Sequence, residues 1–223
     1  MRAERNQTTL AAPCTVSGRG YWSGAINCLT FLPAPADSGI RFVRTDLLGH
    51  PSVLAVVENR DSMPLRTCLS RGRAEVDMVE HVLAALHGLQ IDNAIVHCTA
   101  CEMPAMDGSS FAFTLALQAV DLQEVRPTVT LDRTIRVGDD RQWIVAEPLP
   151  SPMPSSGLVA DPWQRLELEY RLDFGPDSPI LKSSHAIRLE PKTFFETICA
   201  ARTFIGVETA QMLQARGMAK HVT

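Results

Sequence analysis

The chain has 223 residues, of which 45% are apolar and 21% charged, with a net charge of -4 and a pI near 5.9. That composition suits a core-forming globular protein and excludes nucleic acid as the main partner, because no basic stripe exists to displace phosphate counterions. The length accommodates two domains of about 100 residues each. No apolar run approaches the roughly 20 residues that span a bilayer, so no transmembrane segment is expected. The apolar stretch behind Arg2 and Arg5 is short and interrupted by Pro13, so the expected location is the cytoplasm.

In chain order, Ala12 to Val57 reads as successive strands, with β-rich runs at Cys28 to Phe31 and Ile40 to Val43 around a turn-rich stretch from Pro33 to Gly39. A helix is predicted from Asp77 to Leu89, where Val79, Val82, Leu83 and Leu86 fall at helical spacing and Gly88 marks the end. Ala94 to Cys98 reads as a strand. Ser109 to Val120 reads as a second helix, started by Gly108-Ser109-Ser110 and carrying Phe113, Leu115, Leu117 and Val120.

After Pro127 the pattern restarts. Thr128 to Val137, a turn at Gly138-Asp139-Asp140, and Trp143 to Ala146 form a predicted hairpin. The Pro/Ser-rich stretch Leu149 to Pro162 reads as a loop, Leu166 to Phe174 as a strand, and Phe194 to Thr203 as a helix preceded by Pro191. Strands followed by helices occur twice, which predicts an α+β fold of two similar halves, 1–126 and 127–223. The second half carries a single full-length helix and is expected to be truncated.

Six cysteines are too few for a disulfide scaffold. Cys98-Thr-Ala-Cys101 has CxxC spacing, but no second pair exists, and residues three apart on a strand face opposite sides and chelate poorly. A packing role is the main reading for both, with redox or metal roles as alternatives.

Glu80-His81 lies at the start of the first predicted helix. An imidazole there can ligate zinc, and the neighbouring carboxylate can take a proton from water. An isolated Glu-His pair is also common as surface decoration, and catalytic zinc normally takes three protein ligands. No spacing such as HxxxH completes a site.

The run from Val79 to Asn93, followed by Glu102-Met-Pro-Ala-Met-Asp-Gly-Ser109, resembles the signature region of the zinc-dependent UDP-3-O-acyl-N-acetylglucosamine deacetylases of lipid A synthesis. Pro33-Ala-Pro35, Arg44-Thr-Asp46, Thr67-Cys-Leu69 and Ala201-Arg-Thr-Phe204 follow the same family pattern, in family order and over nearly the whole chain.

The resemblance implies two α+β domains with helices packed between the sheets. It implies Zn2+ as cofactor with His81 as the first of three ligands, Glu80 as general base, and Thr203 as a hydroxyl stabilising the oxyanion. Leu65, Thr67 and Leu69 match an insert beside the acyl chain. Asp173 and Phe174 match the nucleotide-diphosphate end, and Phe204 lines the substrate site. Val207 to Ala215, including Leu213, matches a helix of the acyl passage.

Departures from the family pattern are equally specific. The His-Lys-x-x-Asp segment with the other two ligands and the Ser-Gly-His segment with the general acid are not among these residues. Trp22 stands where many members have His, and Gln142, beside Arg141, where a Lys is common. The isolated chain is therefore expected to be inactive on UDP-3-O-acyl-N-acetylglucosamine, with three alternatives: a separate chain supplies the missing half, the sequence is a gene fragment, or the protein is a non-catalytic relative that binds acylated sugar nucleotide without turning it over.

Overall fold

A computed structural model describes residues 4–117, 120–127, 131–149 and 166–218. The chain is mixed α+β and forms two compact units, one of Gln7–Glu124 with Glu190–Thr223 and one of Met1–Asn6 with Val125–Leu189. Residues 190–223 therefore group with the first part of the chain.

The larger unit contains most of β1 (Glu4–Leu10), then β2 (Cys14–Arg19), β3 (Ile26–Pro33), β4 (Ile40–Arg44) and β5 (Ser52–Leu54). A turn of 3-10 helix at Val57–Asn59 leads to β6 (Arg60–Asp61), β7 (Cys68–Arg71) and β8 (Ala74–Asp77). Helix α1 (Glu80–Gly88), β9 (Ala94–Cys98), helix α2 (Phe111–Ala116) and β10 (Val120–Pro127) follow. The main sheet has the order β2-β3-β9-β4-β5 and is antiparallel except for β4 beside β9. Strands β6-β7-β8 form a second sheet, and β1 pairs with β10.

Alternation explains the main sheet. Along β4 and β9 every second residue is buried: Ile40, Phe42 and Arg44, then Ala94, Val96 and Cys98. All of these but Arg44, which pairs with Asp46, join Leu29 and Phe31 of β3 in one apolar cluster with Val82, Ala85 and Leu86 of α1 and with Phe113 and Leu117. The sheet thus buries one face against the stripe of α1 that the 3.6-residue period creates.

Smaller packing events fix the ends. Phe194, 3% exposed, lies against Gly88, where a Cβ would meet the ring at 2.4–2.5 Å. The ring is enclosed and cannot swing away, so Gly88→Ala is expected to cost about 1–3 kcal/mol by overpacking. At this chain length each kcal/mol lowers Tm by about 2–4 °C. Thermal unfolding of Gly88→Ala and of Gly88→Ala/Phe194→Leu checks the cause, because the smaller ring replacement should restore part of the loss.

The smaller unit holds β11 (Ile135–Gly138) paired with β12 (Trp143–Ala146), and β13 (Glu167–Leu172) paired with β14 (Ser183–Arg188), both antiparallel. The predicted hairpin turn is present: Asp139 accepts hydrogen bonds from the backbone N–H groups of Arg141 and Gln142. Residues 128–130 of the predicted first strand and 150–162 of the predicted loop lie outside the described residues.

The predicted helix over 194–203 is replaced by one α turn, α3 (Pro191–Thr193), and a π turn at Phe194–Ile198. Pro191 does open the helix, with a capping box between Glu190 and Thr193. Thr197 Oγ1 then donates back to the Thr193 carbonyl, and the Cys199 N–H donates to Phe194 O, five residues back. Such side-chain back-bonding competes with the α pattern. The predicted second helix is also shorter, ending at Ala116. The last element, α4 (Val207–Ala215), spans the range expected for the final helix. Among the described residues no helix is long and apolar enough to cross a membrane.

Candidate active site

The approach to α1 places the Glu80–His81 pair. Met78 takes a left-handed backbone (φ 61°) although it is not glycine, and it turns β8 into the helix. Such a conformation persists only where its surroundings hold it. The surroundings are visible: Asp77 N–H donates to Cys101 O, Met103 N–H donates to Asp77 O, and Met78 N–H donates to Asp77 Oδ1.

Glu80 is the first residue of α1, where the helix dipole favours a carboxylate. Its Oε2 accepts the backbone N–H of Thr67 at 3.0 Å, and Val79 N–H donates to Thr67 O. The backbone of Thr67 therefore grips both the helix start and the carboxylate. His81 follows directly and is half-buried. Adjacent helix residues point about 100° apart, so the two side chains leave the helix in different directions.

A second constellation surrounds Thr203. The Thr203 N–H donates to Gly108 O at 2.8 Å, Arg202 Nε donates to Asp107 O at 2.7 Å, and Ser110 Oγ donates to Cys199 O. Gly108 needs its positive φ of 85° for this turn. Asp107 Oδ1 accepts both the N–H and the hydroxyl of Ser109. Burial works to raise the Asp107 carboxyl, but the Ser109 hydrogen bonds outweigh it and hold it below the ordinary carboxylate value.

The other expected site residues are placed as follows. Leu65 is solvent-exposed with a left-handed backbone, Thr67 is half-buried, and Leu69 is buried in the core cluster. Phe204 is exposed, and Leu213 is buried on α4. Asp173 and Phe174 lie in the smaller unit, both exposed. The Gly175 N–H and Lys182 hold the Asp173 carboxyl below its usual value. The structure thus joins Glu80 to Thr67 and Thr203 to Gly108.

Two residues in the quoted motifs had received no role. Asp107 is legible as the first residue of an Asp-Gly-Ser turn, a sequence in which a carboxylate bonds its own backbone two residues on. Glu102 is 5% exposed and accepts backbone N–H groups from Trp22 and Ser23. A buried acid has no such local signature. The CxxC pair is divided: Cys98 ends β9 and is fully buried, its thiol pushed up to about 12 by burial, and Cys101 lies in the loop beyond. A thiol at that value is a poor nucleophile.

Donors for a metal are sparse. Among the described residues no three His, Cys, Asp or Glu side chains gather, whereas catalytic zinc takes three protein ligands. The described residues do not by themselves fit zinc.

Comparison with known proteins adds the family. Residues 7–223 match the family described as LpxC, UDP-3-O-acyl N-acetylglycosamine deacetylase. A relative from Syntrophus aciditrophicus named UDP-3-O-acyl-N-acetylglucosamine deacetylase is 31% identical over 96% of this chain and 64% of its own length. One of the same name from Anaeromyxobacter dehalogenans is 34% identical over 98% of this chain and 66% of its own. A Porphyromonas gingivalis protein named bifunctional enzyme LpxC/FabZ is 30% identical over 97% of this chain and 44% of its own length. The chain spans about two thirds of the length of the deacetylases it matches. On a match that runs from Gln7 to the last residue, the chain belongs to the UDP-3-O-acyl-N-acetylglucosamine deacetylase family.

Proposed function

We propose that this chain carries the Glu80, His81 and Thr203 side of a hydrolytic deacetylase acting on UDP-3-O-acyl-N-acetylglucosamine in lipid A biosynthesis. The observation that carries the reading is the Glu80 carboxylate, held by the Thr67 N–H at the start of α1 with His81 beside it, in a chain of this family. An acetamide is a poor electrophile, so its hydrolysis needs a placed proton acceptor and donors for the developing oxyanion. Glu80 is the acceptor. The Thr203 hydroxyl is the donor, its main chain strapped to Gly108.

His81 would offer one coordination position for zinc. The exposed rings of Phe174 and Phe204 and the exposed Leu65 side chain are assigned to substrate, with Asp173 at the nucleotide end; Leu69 and Leu213 are buried and present no surface to it. The same family ground supports a division of the chain near residue 126, although residues 190–223 group with the first part, and a cytoplasmic location. A second reading is binding of the acylated nucleotide without turnover.

Thr203→Ala tests the proposal in a protein that supplies the full ligand set. Its kcat should fall by about 100-fold, the effect of losing one oxyanion donor, with KM little changed. Steady-state kinetics with unchanged kcat would remove Thr203 from the site. Tight substrate binding with no release of acetate would favour the second reading.

A further inference from the structure

The loop from Gly20 to Gly24 is held by an acid that the chemistry above does not use. Glu102 Oε1 accepts the Trp22 N–H at 2.6 Å, and Oε2 accepts the Ser23 N–H at 2.7 Å together with the Ser23 hydroxyl. The fit is close enough that a Cβ on Gly20 would fall 2.3 Å from Oε2. Hydrogen bonds to an ionised acceptor are the strong ones, and three of them converge on this side chain.

What the loop presents is Trp22. The Arg66 guanidinium lies 5.0 Å from the Trp22 ring centroid, and Trp22 Nε1 donates to Met78 Sδ at 3.3 Å. Arg66 also pairs with Asp77 at 2.9 Å. Arg66 precedes Thr67, whose N–H holds Glu80, and Met78 precedes Val79, which donates to Thr67 O. One indole therefore touches the side chains of the two residues that precede Thr67 and Val79, the pair hydrogen-bonded to each other beside Glu80. It does so through a cation–π contact and a sulfur contact, each a modest but directional attraction.

We infer that the Gly20–Gly24 loop is a positioning element for Glu80, with Glu102 as its buried anchor and the Trp22 ring as the part that holds Arg66-Thr67 and Met78 in place. Glu102 and Trp22 are positioning residues and touch no reacting atom. The inference rests on Glu80 as the proton acceptor. Its test reads the Thr67–Glu80 hydrogen bond without turnover, so failure here leaves that functional reading standing.

The experiment is amide hydrogen exchange at Thr67 in the 223-residue protein and in Glu102→Gln, Trp22→Ala and Trp22→Phe. Glu102→Gln and Trp22→Ala should exchange at Thr67 at least about tenfold faster than the parent, the loss of protection expected from local opening. The amides of Phe31, Phe42 and Val96 in the main sheet should be unchanged. Trp22→Phe keeps a ring over Arg66 and should retain most of the Thr67 protection. Two results overturn the inference: unchanged exchange at Thr67 in either Glu102→Gln or Trp22→Ala, or equal acceleration at Thr67 and throughout the sheet. If Glu102→Gln does not fold, the contrast between Trp22→Ala and Trp22→Phe decides alone.

Discussion

Glu80→Gln, in a protein that carries the complete ligand set, is expected to lose about 1,000-fold in kcat with its zinc content unchanged. Glutamine keeps the shape and keeps an oxygen that can accept the Thr67 N–H, so the start of α1 should survive. What is lost is the ability to take a proton, and removing a general base typically removes a factor of about 100 to 10,000. His81→Ala should behave differently, because it deletes a proposed ligand: metal and activity should fall together. Metal analysis beside kinetics separates the two substitutions. Full zinc occupancy in His81→Ala would contradict the ligand assignment, and a Glu80→Gln protein as fast as its parent would contradict the base.

Hydrogen exchange should divide the isolated chain sharply. The larger unit encloses Leu29, Phe31, Phe42, Val96, Leu86 and Phe113 in one core, and its central strands β3, β4 and β9 are paired on both sides. The smaller unit is different. Its register sets Val137 opposite Ile144 and Leu168 opposite Ile187, so each hairpin has an apolar face. Yet Ile144 is 70% and Tyr170 64% exposed, and no apolar residue described between 131 and 188 is buried. Isolated two-stranded hairpins are marginal in water. Amides in 131–149 and 166–188 should therefore exchange at least about 1,000-fold faster than those of the central sheet.

The boundary of slow exchange is itself informative. Sequence reasoning places all of 127–223 in the weaker half, but Phe194 and Cys199 are buried within the larger unit. Protection should return there. Equal protection of both units in a monomer would contradict this picture. Protection of the hairpins only in a larger assembly would identify an association that covers their apolar faces.

The parts legible in the sequence were those with local periodicity or local turn chemistry. Ile40–Arg44 and Ala94–Cys98 announce themselves as short β-rich runs, the 135–146 hairpin by Gly-Asp-Asp, and α1 by the spacing of Val82 and Leu86. Strand β1 was not legible because, apart from Leu10, its buried residues are polar. Gln7, Thr8 and Thr9 are satisfied by Asn93 and Asp92 more than 80 residues away. A buried polar strand is paid for by such partners, and they lie outside any sequence window.

The site shows the same division. Glu80 and His81 are visible as residue types, but their weight comes from the family pattern. The Thr67 contribution is a backbone N–H, which every residue except proline carries, so the side chain gives no sign of it. The left-handed turn at Met78 is equally hidden, because methionine has no preference for that region and tertiary contacts impose it.

The most direct test of the central claim is acetate release from UDP-3-O-acyl-N-acetylglucosamine by this chain joined to the remaining third of the Anaeromyxobacter dehalogenans relative, supplied with zinc. Acetate and free amine are expected in equal amounts, with release cut by about three orders of magnitude in Glu80→Gln. A joined protein that folds cooperatively and binds one zinc, yet releases no acetate or releases it equally well with Gln at position 80, would contradict the account.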